Sequence, residues 1–241
     1  MLNIRKTIRN TAVVLSITLL PATTGVFARD THSAHHAESK GVPAAAALKM
    51  LQEGNQRFVE GKVKHPDQDI PRRKELASGQ KPSAIILSCS DSRVPPELVF
   101  DQGLGDVFVV RVAGNIVDSA GMASIEYAVE HLGANLIVVM GHESCGAVKA
   151  ALTTPRGQSA GSPDLDILVS TIQPALGETD PATTAQDKTI RKPVIRNIDA
   201  VADHLLLRSK ILREANEKGT LKITRAIYSL GTGKVEFWDQ K

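Results

Sequence analysis

The chain has 241 residues, 42% of them hydrophobic and only 3% aromatic, enough for one sizeable domain with its own core. Its formal charge of +3 is local: Arg5, Lys6 and Arg9 stand in a stretch of 28 residues without acids, and the other 26 basic residues match the 26 acidic ones. The basic excess therefore gives no argument for a nucleic-acid partner, and no Lys/Arg cluster interleaved with aromatics supplies one.

Residues 1–28 read as a secretory signal peptide: a basic start, the apolar stretch Thr11 to Leu20, then Val26-Phe27-Ala28 as a small-residue cleavage site. The apolar stretch falls short of the ~20 residues that a spanning helix needs, so no stable membrane span is expected after processing. The alternative is an uncleaved anchor. Export places the mature chain in the periplasm or outside the cell, where a disulfide could form. Residues 29–43 are polar, with His32, His35 and His36 close together, and read as a flexible tail that is either solvated or a weak metal binder.

Residues 44–241 read as one domain. From Pro43 the spacing of Ala47, Leu48, Leu51 and Phe58 predicts a helix stopped at Gly61. Residues 62–82 are charged and contain Pro, the mark of a surface connection. Three short apolar runs follow, Ala84 to Leu87, Val107 to Val112 and Leu136 to Met140, each bounded by Gly or Pro and each predicted as a buried strand. Between the last two, Met122, Ile125, Ala128, Val129 and Leu132 predict an amphipathic helix capped by Gly133. A short helix is expected from Leu165 and a long one from Pro193 to Lys218. A hairpin closes the chain, Leu221 to Leu230 and Val235 to Trp238 around Gly231-Thr232-Gly233. Strand–helix–strand order predicts an α/β fold with a mostly parallel sheet flanked by helices, and ligands in such sheets sit beyond the carboxyl ends of the strands.

The only two cysteines stand just past two of those strands. One opens Cys89-Ser90-Asp91-Ser92-Arg93; the other closes Gly141-His142-Glu143-Ser144-Cys145-Gly146. Two thiolates and an imidazole form a ligand set that suits zinc. With no third cysteine, the fourth position falls to a carboxylate, to another histidine or to water, and an open position marks a catalytic zinc. Cys145 lies at the start of a predicted helix, whose dipole and free amides lower a thiol pKa. Gly141 and Gly146 are read as allowing close backbone approach around the metal. Asp91 has two readings: fourth ligand in a closed site, or clamped by Arg93 and accepting a hydrogen bond from a zinc-bound hydroxide. A Cys89–Cys145 disulfide is the competing reading, but it explains neither the histidine nor the Asp/Arg pair. Two thiolates offset the zinc charge, so activity is expected to rise towards alkaline pH.

The run from Ser88 to Val117, SCSDSRVPPELVFDQGLGDVFVVRVAGNIV, with Ile125-Glu126-Tyr127-Ala128-Val129 leading to the His142 motif, resembles the β-class carbonic anhydrases. The resemblance spans roughly residues 44–238. It implies a β-carbonic-anhydrase-like fold, Zn2+ held by Cys89, His142 and Cys145, and Asp91 and Arg93 as the gating dyad. It also implies reversible hydration of carbon dioxide to bicarbonate and a proton by a homodimer or homotetramer with the site at the subunit interface. Ile86 stands where some bacterial members carry the tryptophan of an inhibitory bicarbonate site, and Arg225 where many relatives have glycine. Gln102 lies one residue from where some relatives place a substrate-facing glutamine. A non-catalytic periplasmic zinc-binding protein and a hydrolase of carbonyl sulfide or carbon disulfide are the competing functions.

Overall fold

In the structure, a computed structural model, residues 41–177 and 189–239 are described. The expected signal peptide and the tail histidines His32, His35 and His36 lie outside them.

Helix α1 (Ala44–Val59) begins after Pro43 and buries Ala47 and Leu51, as their spacing predicts. The 62–82 connection is more ordered than its composition suggests. It contains helix α2 (Ile70–Glu75), started by the Asp69 side chain accepting from the Arg72 amide, and the 3-10 turn Leu76–Ser78. Strand β1 (Ala84–Ser88) is buried along its whole length. The short helix α3 (Pro96–Val99), which no periodicity could announce at four residues, leads to β2 (Val107–Arg111). A second 3-10 turn, Ala113–Asn115, then precedes α4 (Ser119–Leu132), which ends on a left-handed Gly133 as expected.

Strand β3 runs Leu136–His142, two residues further than its apolar run, so that His142 is the last residue of the strand rather than a loop residue. Helices α5 (Gly146–Thr153) and α6 (Pro163–Leu176) follow, the latter a full 14 residues. The long helix expected from Pro193 is two helices, α7 (Arg191–Arg208) and α8 (Lys210–Glu217). They break at Ser209, whose extended backbone ends α7 while its hydroxyl accepts the Leu212 amide at 3.2 Å and donates to Glu126 Oε1 at 2.5 Å. Strands β4 (Lys222–Tyr228) and β5 (Val235–Trp238) form the predicted hairpin.

The sheet order is β2-β1-β3-β4-β5, parallel except for β5. Side-chain alternation divides the core in two. Ile85, Leu87, Ile137, Val139 and Ile223 face a layer that includes Ile125, Val148, Ile172, Ile198 and Leu205 from α4 to α7. Ala84, Ile86, Leu136, Val138 and Met140 face Ala47, Leu51, Val99 and Phe100 around α1 and α3. The central strands β1 and β3 are covered on both faces and read as apolar runs, whereas β2, predicted as a buried strand, lies at the sheet edge and is only half-buried outside Val110; each fully buried Ile or Leu contributes about 1.5–3 kcal/mol. Ile86 is one of these buried residues and belongs to the α1 layer.

Strand β1 ends at Ser88, β2 at Arg111 and β3 at His142, and Ser88 pairs with both Arg111 and Met140. Their shared carboxyl edge therefore brings Cys89, the Ala113–Asn115 turn and His142 together.

Candidate metal centre

Cys89 and Cys145 are free thiols, so the disulfide reading is not realised. The thiol sulfurs and a ring nitrogen of His142 lie within 4.8 Å of one another, and all three residues are buried. The His142 ring places Nδ1 2.9 Å from the Glu143 carbonyl. A carbonyl can only accept, so Nδ1 carries the proton and Nε2 keeps its lone pair. That Nε2 is buried without a hydrogen-bond partner, beside two thiols. A buried acceptor left bare costs about 1–3 kcal/mol, and a soft or borderline cation satisfies it together with both sulfurs. The donor set fits a metal ion.

The two thiols are tightly coupled. A hydrogen bond from Cys145 draws the Cys89 thiol down to about 4, against the cost of burial and with help from the amides of Asp91 and Gly114. Cys145 is pushed up, first by its bond to Cys89 and then by burial, although the Ala147 and Val148 amides at the start of α5 act in the other direction. One proton is thus shared between two sulfurs, and a metal ion would replace it.

Asp91 is clamped rather than coordinating in this arrangement. The Arg93 guanidinium donates from Nε to Oδ1 at 2.8 Å and from Nη2 to Oδ2 at 2.7 Å, and the Arg93 amide adds a bond of 3.0 Å. Hydrogen bonds from Arg93 hold the Asp91 carboxyl well below the usual carboxylate range, although partial burial opposes them. Of the two readings of Asp91, the geometry is that of the clamped one.

Several supporting residues carry no motif. Arg111 donates to the Cys89 carbonyl at 2.9 Å and to the Asp91 carbonyl at 2.6 Å, fixing the segment between them. A lone charge at the end of an apolar run is the signal that could have marked it. The Gly114 amide donates to Cys89 Sγ at 3.3 Å. The His142–Cys145 loop is held by Glu143 N to Tyr228 O at 3.0 Å and Ser144 N to Thr189 O at 2.7 Å, with Arg191 bridging Glu143 and Glu236. Ser144 takes a left-handed backbone there, which turns Cys145 to the start of α5.

The reading of the two glycines changes. A Cβ at Gly141 would stand 2.7 Å from Ile198 Cδ1, so the close approach there is that of α7 to β3, not of backbone to metal; at Gly146 a Cβ would meet nothing. Gln102 is buried and donates to the Phe100 and Asp101 carbonyls, so its side chain is tied to its own loop. Arg225 is buried with Nε 3.1 Å from Asp199 and Nη2 on Asp203, tying β4 to two half-exposed carboxylates of α7.

A family model described as "Carbonic anhydrase" matches residues 84–235. The chain is 42% identical over 196 residues to "Carbonic anhydrase 2" of Mycobacterium tuberculosis, covering 80% of this chain and 92% of that protein. Among solved structures, a β-carbonic anhydrase of Aspergillus fumigatus superposes with TM-score 0.63 at 28% identity, covering 81% of this chain and 90% of that one. A tetrameric β-carbonic anhydrase of the ascomycete Sordaria macrospora gives TM-score 0.61 at 27% identity, covering 80% and 96%.

Proposed function

The chain belongs to the carbonic anhydrase family, in its β class, and we propose that it catalyses the reversible hydration of carbon dioxide to bicarbonate and a proton, with one zinc held by Cys89, His142 and Cys145. The observation that most supports this is the buried Cys–His–Cys triad with its bare Nε2, set beside a carboxylate that an arginine grips with both arms. Zinc in such a site lowers the pKa of water and makes it a nucleophile at neutral pH. Asp91 stays ionised and can only accept, so it takes a hydrogen bond from the attacking water and aims its lone pair at the carbon of the substrate. Arg93 occupies both carboxylate oxygens and thereby keeps Asp91 from competing as a ligand. Glu143 fixes the His142 tautomer through its carbonyl.

The same proposal covers the chain's organisation. Residues 1–28 act as a signal peptide cleaved after Ala28, residues 29–43 as a tail and 44–241 as the catalytic domain, placing the enzyme in the periplasm or outside the cell. Among the described residues no helix is long and apolar enough to cross a membrane. A homodimer or homotetramer is the expected assembly; the Sordaria macrospora relative is tetrameric.

Stopped-flow hydration of carbon dioxide by zinc-loaded protein, against chelator-stripped and Cys145→Ala protein, tests the activity. Turnover is expected with zinc, rising towards alkaline pH, and neither turnover nor bound zinc for Cys145→Ala. Zinc uptake without hydration would leave a binding protein, and turnover of carbonyl sulfide or carbon disulfide alone would leave the hydrolase. A mature chain beginning at Met1 in native cells would refute export.

A further inference from the structure

Asn197 lies in the interior, on the side of α7 that packs against the sheet, and is only 1% exposed. Its Nδ2 donates to the Gly114 carbonyl at 2.8 Å, across 83 residues of sequence. Gly114 has φ of 66° and ψ of 20°, and its own amide points to Cys89 Sγ at 3.3 Å. That left-handed backbone fixes how the Gly114 amide is set relative to its own carbonyl, and no larger residue fits there, because a Cβ would stand 2.8 Å from Ile172 Cδ1 and 3.1 Å from Ala147 Cβ. The turn closes on itself through the Asn115 amide to the Val112 carbonyl at 2.9 Å, and the Gly114 carbonyl is held from outside it. The bond from α7 anchors the carbonyl of the same residue whose amide meets the sulfur.

We propose that Asn197 is a positioning residue for the metal centre: by pinning the Gly114 carbonyl it holds the Gly114 amide on Cys89 Sγ, and so sets how strongly that sulfur donates to the metal. The inference rests on the reading of Cys89, His142 and Cys145 as metal ligands. An amide donating to a thiolate withdraws charge from the sulfur, as partners outside the ligand shell of other metal sites tune the ligands they touch. Asn197 does this by fixing geometry, since the carbonyl it grips and the amide on the sulfur belong to different peptide units. A buried asparagine that merely satisfied a carbonyl would affect folding stability and leave the metal untouched.

The experiment uses cobalt(II) alone as probe, added to zinc-free full-length protein. Asn197→Asp keeps the volume but turns an acceptor towards the Gly114 carbonyl. Its cobalt dissociation constant should rise about 10-fold, and the sulfur-to-cobalt charge-transfer band should move from its wild-type position. Leu205→Val, a core change further along α7, should lower the melting temperature without moving the band. An Asn197→Asp protein that melts lower but binds cobalt within about twofold of wild type, where the loss of a tuning partner costs 10-fold or more, with the same band, overturns the inference alone. Wild-type protein that takes up no cobalt overturns the metal reading and this inference with it. If Asn197→Asp does not fold, cadmium-113-loaded wild-type protein decides: the Gly114 amide proton should show scalar coupling to cadmium through the sulfur, and absence of that coupling refutes the arrangement.

Discussion

Asp91 Oδ2 stands 3.7 Å from Nε2 of His142. The gap is too wide for a hydrogen bond, yet the carboxylate borders the same space as the histidine lone pair and the two sulfurs. What separates a ligand from a bystander here is the grip of Arg93, because the carboxylate is otherwise a good oxygen ligand for zinc.

Arg93→Ala should therefore convert an open site into a closed one. The variant is expected to keep its fold and its zinc, by elemental analysis, while hydration of carbon dioxide falls by at least about 100-fold at every pH. Asp91→Ala should lose activity for a different reason, the missing acceptor, and leave the fourth position open. Near-normal hydration by Arg93→Ala would reduce the pair to a surface contact.

The depressed Asp91 pKa carries a pH signature. Hydrogen bonds from Arg93 are its first cause, so the folded state favours the charged form. Such a group contributes stability above the ordinary carboxylate pKa of about 4 and loses that contribution as pH falls through the lower folded value. Thermal melts of zinc-free wild type and Asp91→Asn should differ at neutral pH, with the wild type higher, and draw together as the pH falls from ~4 through the lower folded value. A gap that opened only in acid would have the wrong sign.

Asp101 is 3% exposed and adopts φ of 46°. Burial opposes its charge, yet the carboxyl is held below its usual range by the Lys64 and His65 amides and by Arg57, whose Nε lies 2.6 Å from Oδ2. Asp101→Asn would set a donor against those donors. Denaturant unfolding should show a loss of about 2–3 kcal/mol, with zinc binding retained, since the Asp101 carboxyl bonds to Arg57, Lys64 and His65 and not to Cys89, His142 or Cys145.

Ser209→Ala removes the cap of α8 and the bond to Glu126 on α4 together. A loss of about 1 kcal/mol is expected, seen as a drop in melting temperature of roughly 2–4 °C for a chain of this size. No change in melting would mean that the two helices can run on as one.

The parts of this molecule that were legible in the sequence are those whose causes are local. Ala84 to Leu87 and Leu136 to Met140 had to be strands because both faces of a parallel sheet are covered, and Gly133 had to end a helix because a left-handed cap suits it. Cys89, Asp91 and Arg93 lie within five residues, and His142 and Cys145 within four, so strand ends and ligand spacing pointed to them directly. Helices α2 and α3 were missed because each is too short to show a period. The helix break at Ser209 was missed because the apolar spacing runs through it, and its decisive partner, Glu126, stands 83 residues earlier.

The sequence by itself pointed to the candidate ligand types and to the pairing of Asp91 with Arg93, since each depends on neighbours along the chain; the structure chose the clamped reading of Asp91 and carried β3 on to His142. Only the tertiary structure decided that Nε2 of His142 is the bare nitrogen, that Arg111 ties down the Cys89–Asp91 segment from 22 residues away, and that Asn197 reaches Gly114 across 83. The physical reason is burial: a polar group inside the protein must find a partner among whatever the fold brings near, and closing a long loop costs little more entropy than closing a short one. Partners of that kind follow from packing, and spacing along the chain does not record them.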